Sequence, residues 1–174
     1  MINSILRYSL IFLSLILLQL LLFNNIQLSG YINPYVYIMA VLLLPVTLPQ
    51  WIILLISFFT GFIIDLFSGS LGMHSSATLL VGFVRPYVLS LISPRDGYEQ
   101  DSDLSMRTYG VRWFFTYTAI LVVIHHLTLF YLEVFRLTDF FRTMLRVILS
   151  SAVSIAFIML IGYSRKGRRA GKRV

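Results

Sequence analysis

Between Tyr8 and Val84 the chain carries no lysine, arginine or glutamate, and its only aspartate there is Asp65. Soluble domains carry roughly a quarter charged residues, whereas this chain is 12% charged and 58% hydrophobic. A run of about 20 mostly apolar residues is long enough to cross a bilayer as a helix. The sequence therefore predicts an integral membrane protein with essentially no soluble domain.

The apolar runs predict an all-α domain of six transmembrane helices in residues 1–163, followed by a basic cytoplasmic tail in residues 164–174. Barrel strands are excluded, because strands are only about ten residues long and alternate in hydrophobicity. The first run is read as an uncleaved span, since no small-residue cleavage site follows it. The second is short and ends at Pro45 and Pro49, so its full crossing is left open. The expected spans are 5–23, 32–46, 51–66, 74–92, 113–132 and 144–163.

The distribution of arginine and lysine predicts the orientation of these spans. With six spans, both termini and the loop before the fifth span lie on one side. That side holds ten of the 14 basic residues, the opposite side holds two, and two lie within spans. Short cytoplasmic loops carry the excess of basic residues. We therefore expect both termini in the cytoplasm. The ten residues are Arg7, Arg95, Arg107, Arg112 and six in the tail.

Composition also narrows the ligands and partners. The chain has no cysteine, which excludes disulfides, thiolate metal sites and cysteine nucleophiles. A net charge of +7 would suggest nucleic acid as the partner of a soluble protein. Here the excess is concentrated in the tail, where it is a topology signal that also suits anionic lipid. We expect no nucleic-acid partner and no cofactor.

Asp65 lies in "GFIIDLFSGSLGMHSSA", residues 61–77, just before a turn rich in glycine and serine. We expect its carboxylate near the end of the third span, accepting hydrogen bonds from backbone N–H groups of residues 68–72 or from the side chains of Ser68, Ser70 or His74. A salt bridge between helices and a proton or ion site are the alternatives. Arg146 fits the depth of Asp65 better than Arg85, and Arg85 is expected to snorkel toward headgroups.

The remaining polar residues give no catalytic constellation. Ser70 and His74 resemble a serine-protease pair, but both lie beside one turn, so no separate element presents the nucleophile. His125 and His126 are adjacent and point about 100° apart on a helix, which disfavours a shared metal. Small residues around the third and fourth spans predict close helix packing. They are Ser57, Gly61, Gly69, Gly72, Ser75, Ser76, Ala77 and Gly82.

Residues 61–86 resemble the central hairpin of the MreD family of rod shape-determining membrane proteins. The family pattern is a glycine, an aspartate after apolar residues, an apolar pair, Ser-Gly, Leu-Gly and then a helix of small residues. The motif covers 26 residues, and the rest of the chain matches by length, span number and basic tail. The matching residues are Gly61, Asp65, Leu66, Ser68, Gly69, Leu71 and Gly72.

The resemblance implies a fold similar to the S components of energy-coupling-factor transporters and a place in the bacterial cytoplasmic membrane. It also implies a non-catalytic scaffold of lateral peptidoglycan synthesis, which associates with MreC and through it with the MreB filament and the peptidoglycan glycosyltransferase/transpeptidase pair. The alternative is an S component itself, which binds a vitamin. Such a protein should have an alanine-rich first helix, and the first span here has no alanine.

Overall fold

The computed structural model describes residues 2–25, 32–70, 72–99, 103–134 and 140–167. Within these residues the regular secondary structure is entirely helical. Most apolar runs form the helices that their length predicts. The helices are α1 (Ile2–Leu21), a 3₁₀ turn (Phe23–Asn25), α2 (Met39–Leu42), α3 (Gln50–Ser68), α4 (Met73–Leu91), α5 (Met106–Tyr109), α6 (Val111–Val134) and α7 (Phe140–Gly167).

Four stretches in the described helices are long and apolar enough to cross a membrane: Tyr8–Asn25, Gln50–Ser68, Val111–Val134 and Phe140–Ser164. Their outer faces expose large apolar side chains such as Leu17, Phe59 and Leu160. Such a surface suits lipid, as expected of a multi-pass membrane protein. α4 is less apolar, because its buried face carries polar side chains, which include His74, Thr78 and Arg85.

The second span was expected to be a short helix over residues 32–46, and this expectation was wrong. Only Met39–Leu42 is helical. Residues 32–44 are here called the core segment. Outside that single helical turn their backbone is irregular, and the segment lies inside the bundle, with Val36–Leu42 at most 5% exposed. Pro34 and Pro45 restrict helix growth at both ends. Irregular backbone is tolerated at membrane depth only where protein surrounds it.

The helices run between two ends of the bundle. We name them the Asp65 end and the Arg85 end, after the charged residues buried toward each. At the Asp65 end α3 turns into α4, and Asn24 after α1 bonds Ser68. At the Arg85 end the phenol of Tyr8 bonds Asp103, and Gly162 of α7 packs against Met106. α1 therefore begins, and α7 finishes, at the Arg85 end. α7 continues to Gly167, into the expected tail, of which residues 168–174 lie outside the described chain.

Candidate functional site at the Asp65 turn and the core segment

The turn between α3 and α4 depends on two glycines in the left-handed region. Gly69 ends α3 with φ 66°, and its N–H bonds the main-chain oxygen of Asp65. The N–H of Ser70 bonds the same oxygen at 3.2 Å. Gly72 then starts α4 with φ 79° and, having no side chain, makes no side-chain cap. Glycine adopts this conformation without the strain other residues meet. The turn thus leaves the first N–H groups of α4 without a local acceptor.

The carboxylate of Asp65 supplies that missing cap from the preceding helix. Its Oδ1 accepts the backbone N–H of His74 at 3.0 Å and the hydroxyl of Ser70 at 2.7 Å. Its Oδ2 accepts the backbone N–H of Ser75 at 2.8 Å and the hydroxyl of Ser75 at 2.5 Å. The side chain is only 5% exposed. A negative charge is also favoured at a helix N-terminus by the helix dipole. Four donors therefore hold one buried carboxylate against α4.

These contacts agree with the sequence expectation in part. The Ser70 hydroxyl donates as expected, but the backbone donors are His74 and Ser75 rather than residues 68–72. Ser68 instead accepts a hydrogen bond from Asn24 at 3.2 Å, and Leu66 is exposed on the outer face of α3. Leu71 lies outside the described residues. The sequence indicated Ser75 as a packing residue but not as a donor to Asp65, although the third residue of a helix is well placed to bond a capping group.

Small residues bring α3 and α4 close together beside this turn. A Cβ added at Gly61 would lie 2.4 Å from the main-chain oxygen of His74. One added at Gly82 would lie 2.3 Å from the hydroxyl of Ser57. Both distances are far below van der Waals contact, so the glycines permit an approach that alanine does not. The hairpin is therefore closed along its length and capped at its turn.

The core segment obtains its hydrogen bonds from side chains of the surrounding helices. Gln19, which is fully buried, accepts the backbone N–H groups of Val36 at 2.8 Å and Tyr37 at 3.3 Å and donates to the carbonyl of Pro34 at 3.1 Å. At the Asp65 end, Ser150 and Ser154 of α7 accept the N–H groups of residues 33 and 35 at 3.1 and 2.9 Å. These polar residues replace the bonds a helix would have made internally. Sequence reasoning missed all three.

Two histidines meet the phenol of Tyr37 in the middle of the bundle. The hydroxyl lies 3.0 Å from Nδ1 of His74 and 2.7 Å from Nε2 of His125. The phenol has one proton, so it donates to one ring and accepts from the other. The Nδ1 of His125 is buried and has no partner among the described residues. This cluster links the Asp65 hairpin, through α4, to the core segment and α6.

His126 and Ser154 form a second buried pair. Nδ1 of His126 lies 2.9 Å from the carbonyl of Val122, which can only accept, so Nδ1 carries the proton. Nε2 then accepts from the hydroxyl of Ser154 at 3.1 Å. Ser154 is fully buried and also holds the N–H of Tyr35. Within the described part of the chain, no three His, Cys, Asp or Glu side chains are grouped to hold a metal ion.

The two arginines expected within spans lie in different surroundings, and neither contacts Asp65. Arg146 pairs with Glu133 at 3.0 Å and lies over the ring of Phe130 at 4.3 Å. Arg85 does not snorkel: it is 1% exposed and donates from Nε to the hydroxyl of Tyr117 at 2.9 Å. The snorkelling expectation was wrong because the core segment offers carbonyl oxygens inside the bundle, including that of Leu44, to which Arg85 donates from Nη2.

A cavity of about 760 Å³ opens at the Asp65 end. Residues from α1, the core segment, the Asp65 turn, α6 and α7 line it. Its polar lining includes Asn24, Asn33, Ser70, His74, Glu133 and Arg146. A cavity of this size with a few polar groups has the dimensions of a small-molecule site.

Comparisons with protein-family models, with curated proteins and with solved structures find no match to this chain.

Proposed function

We propose that this chain is a non-catalytic membrane scaffold of the MreD kind, a component of the machinery that elongates rod-shaped bacteria. The observation that carries the proposal is the Asp65 hairpin. Four of the residues through which the chain resembles that family have defined tasks in the turn. Asp65 caps α4, Gly69 and Gly72 adopt the left-handed conformation, and Gly61 allows the close approach of the two helices.

The use of the buried polar groups also supports a scaffold. The hydroxyls of Ser70 and Ser75 are donated to Asp65. The hydroxyl of Ser154 is held between His126 and the core segment. A nucleophile needs a free, presented hydroxyl beside a base. These groups instead fix elements against one another, which suits a protein that presents a rigid surface to partners.

The proposed arrangement has six crossings of the bacterial cytoplasmic membrane, one of them made by the core segment, with both termini in the cytoplasm. α1 begins and α7 finishes at the Arg85 end, and Arg95, Arg107 and Arg112 lie in or beside the loop at the same end. This basic end faces the cytoplasm under the positive-inside rule. The tail then contacts anionic lipid. The protein partners are MreC and, through it, the MreB filament and the peptidoglycan glycosyltransferase/transpeptidase pair.

Depletion of the protein in its rod-shaped host tests this proposal. We expect the cells to become round, and MreC to be co-purified from membranes with the tagged wild-type chain. An Asp65→Leu chain that reaches the membrane should restore rod shape less well than the wild type. Rods of normal width after depletion, with no MreC recovered, would contradict the scaffold function.

The cavity at the Asp65 end favours a second candidate, an S component that binds a vitamin. Its volume of about 760 Å³ and its mixed lining suit a small polar ligand. Depletion would then abolish uptake of one vitamin and leave cell shape unchanged. The two candidates are thus separated by measuring shape and vitamin uptake in the same depleted cells.

A further inference from the structure

Arg85 is a buried cation that forms no ion pair with a carboxylate of the described residues. Its side chain is 1% exposed, and its two hydrogen bonds go to neutral acceptors, the hydroxyl of Tyr117 and the carbonyl of Leu44. No described residue accepts a hydrogen bond from its Nη1. The other arginine that sequence analysis placed within a span, Arg146, has Glu133 as its counter-ion. Arg85 is therefore a buried charge that the described residues compensate only in part.

An unpaired charge away from water is costly, because neutral dipoles replace only part of its hydration. Ionisable residues within membrane helices accordingly pair with one another or mark a functional site. Lysine or arginine at such a depth usually reaches water by snorkelling, and Arg85 does not do so. A negatively charged ligand would supply the missing counter-ion.

The structure has room for such a ligand. A cavity of about 410 Å³ lies at the Arg85 end, and Arg85 forms part of its wall. Gln50, Ser90 and Tyr98 add polar groups to the lining, while Leu48 and Leu89 make another part apolar. The Nε2 of Gln50 already donates to the carbonyl of Gly82 at 3.1 Å, which leaves its second N–H for a ligand. No hydrogen bond occupies the hydroxyl of Ser90 within the described chain.

We infer that this cavity binds an oxyanion of the phosphate class, with Arg85 as its counter-ion. The guanidinium presents five donors in a planar fork that matches phosphate geometry. Arg95 and Asp96 on the adjacent loop are exposed and carry opposite charges, and Arg85 is the only charged side chain among the described residues that line the cavity. A phospholipid headgroup and free phosphate share this chemistry. The apolar part of the wall suits the first carbons of a lipid chain, and basic pockets between membrane helices bind such headgroups.

Lipid titration of the purified full-length chain tests the inference. The dissociation constant is measured by native mass spectrometry with phosphatidylglycerol, with phosphatidylcholine and, separately, with inorganic phosphate. We expect tighter binding of phosphatidylglycerol than of phosphatidylcholine, and a dissociation constant that rises about tenfold or more in Arg85→Met. Arg95→Gln, which removes an exposed arginine beside the same end, is the matched control and should bind as the wild type does.

The phosphate titration identifies the source of the anion. Binding of phosphatidylglycerol without binding of inorganic phosphate indicates a lipid headgroup, and binding of both indicates a site for phosphate itself. A second variant, Ser90→Trp, fills the cavity and keeps Arg85, so it tests the site even if Arg85→Met does not fold. It should also lose the bound anion. Wild-type affinity in whichever of these variants folds, or no anion bound by the wild type, would overturn the inference.

Discussion

Asp65 caps the N-terminus of α4, although it lies in the preceding helix, α3. A cap normally precedes the first turn by one residue. Here that position is Gly72, whose left-handed backbone makes the tight turn. The two requirements, a flexible turn residue and a side-chain acceptor, are thereby divided between two residues. Four donors hold the carboxylate: the hydroxyls of Ser70 and Ser75 and the backbone N–H groups of His74 and Ser75.

Replacement of Asp65 by asparagine should be milder than replacement by leucine. Asparagine keeps one acceptor oxygen but turns an amide N–H₂ toward the donors on the other side. Leucine leaves every donor without a partner, at about 1–3 kcal/mol for each buried group. The free energy of unfolding in detergent measures both changes. Equal damage from the two variants, at normal protein amounts, would show that the charge itself is required.

At the level of elements, the α3–α4 hairpin depends on two glycines that differ in what they face. At Gly61 a methyl group would meet main-chain atoms of His74 and Ser75, which cannot move without shifting α4. At Gly82 it would meet the side chain of Ser57. A clash with backbone is relieved only by separating the helices, whereas a clash with a side chain is relieved by truncating that side chain.

This difference predicts a selective rescue. Gly61→Ala and Gly82→Ala should each lower the unfolding temperature in detergent, because overpacking costs about 1–3 kcal/mol. Ser57→Gly should restore much of the stability of Gly82→Ala, since it removes the Cβ that lies 2.9 Å from the added methyl group. It should give no benefit to Gly61→Ala. Rescue of both variants, or of neither, would contradict this account of the hairpin.

Gln19 makes three hydrogen bonds with the backbone of the core segment, more than any side chain that the sequence singled out. Gln19→Leu should remove three hydrogen bonds to buried backbone, and we expect a loss on the order of 3 kcal/mol or more. Asn25→Leu is the control, because Asn25 makes one exposed bond to the carbonyl of Leu21. Chemical unfolding of both variants measures the difference. Equal losses would mean that water already compensates the core segment.

The sequence allowed some of these elements to be predicted and hid others for a physical reason. α6 and α7 follow from long apolar runs, and the capping role of Asp65 follows from residues within ten positions of it. The core segment could not be predicted, because its stability comes from Gln19, Ser150 and Ser154, which are distant in sequence. The burial of Arg85 was missed for the same reason, since its acceptors lie on other elements.

At the scale of the whole molecule, the two ends of the bundle should lie on opposite sides of the membrane. Reporter fusions at Gly72, in the Asp65 turn, and after the C-terminus should therefore report opposite compartments. The expected result places the C-terminus in the cytoplasm, because the basic residues collect at that end. Two further fusions, after residues 98 and 167, should report the same compartment as each other. Fusions at Gly72 and at the C-terminus on the same side would contradict six crossings.

The dependence of residues 33 and 35 on α7 also sets an order for biosynthesis. A ribosome releases the core segment more than a hundred residues before Ser150 and Ser154. Until α7 has entered the membrane, those N–H groups have no native acceptor, and hydrocarbon would not tolerate them. The nascent chain must therefore keep this stretch near water while the later helices insert, and it can close around the stretch only after α7 has been translated. The absence of cysteine makes this observable: a single cysteine introduced at Val36 should react with a soluble maleimide in a chain halted before α7, and should become protected once α7 is complete.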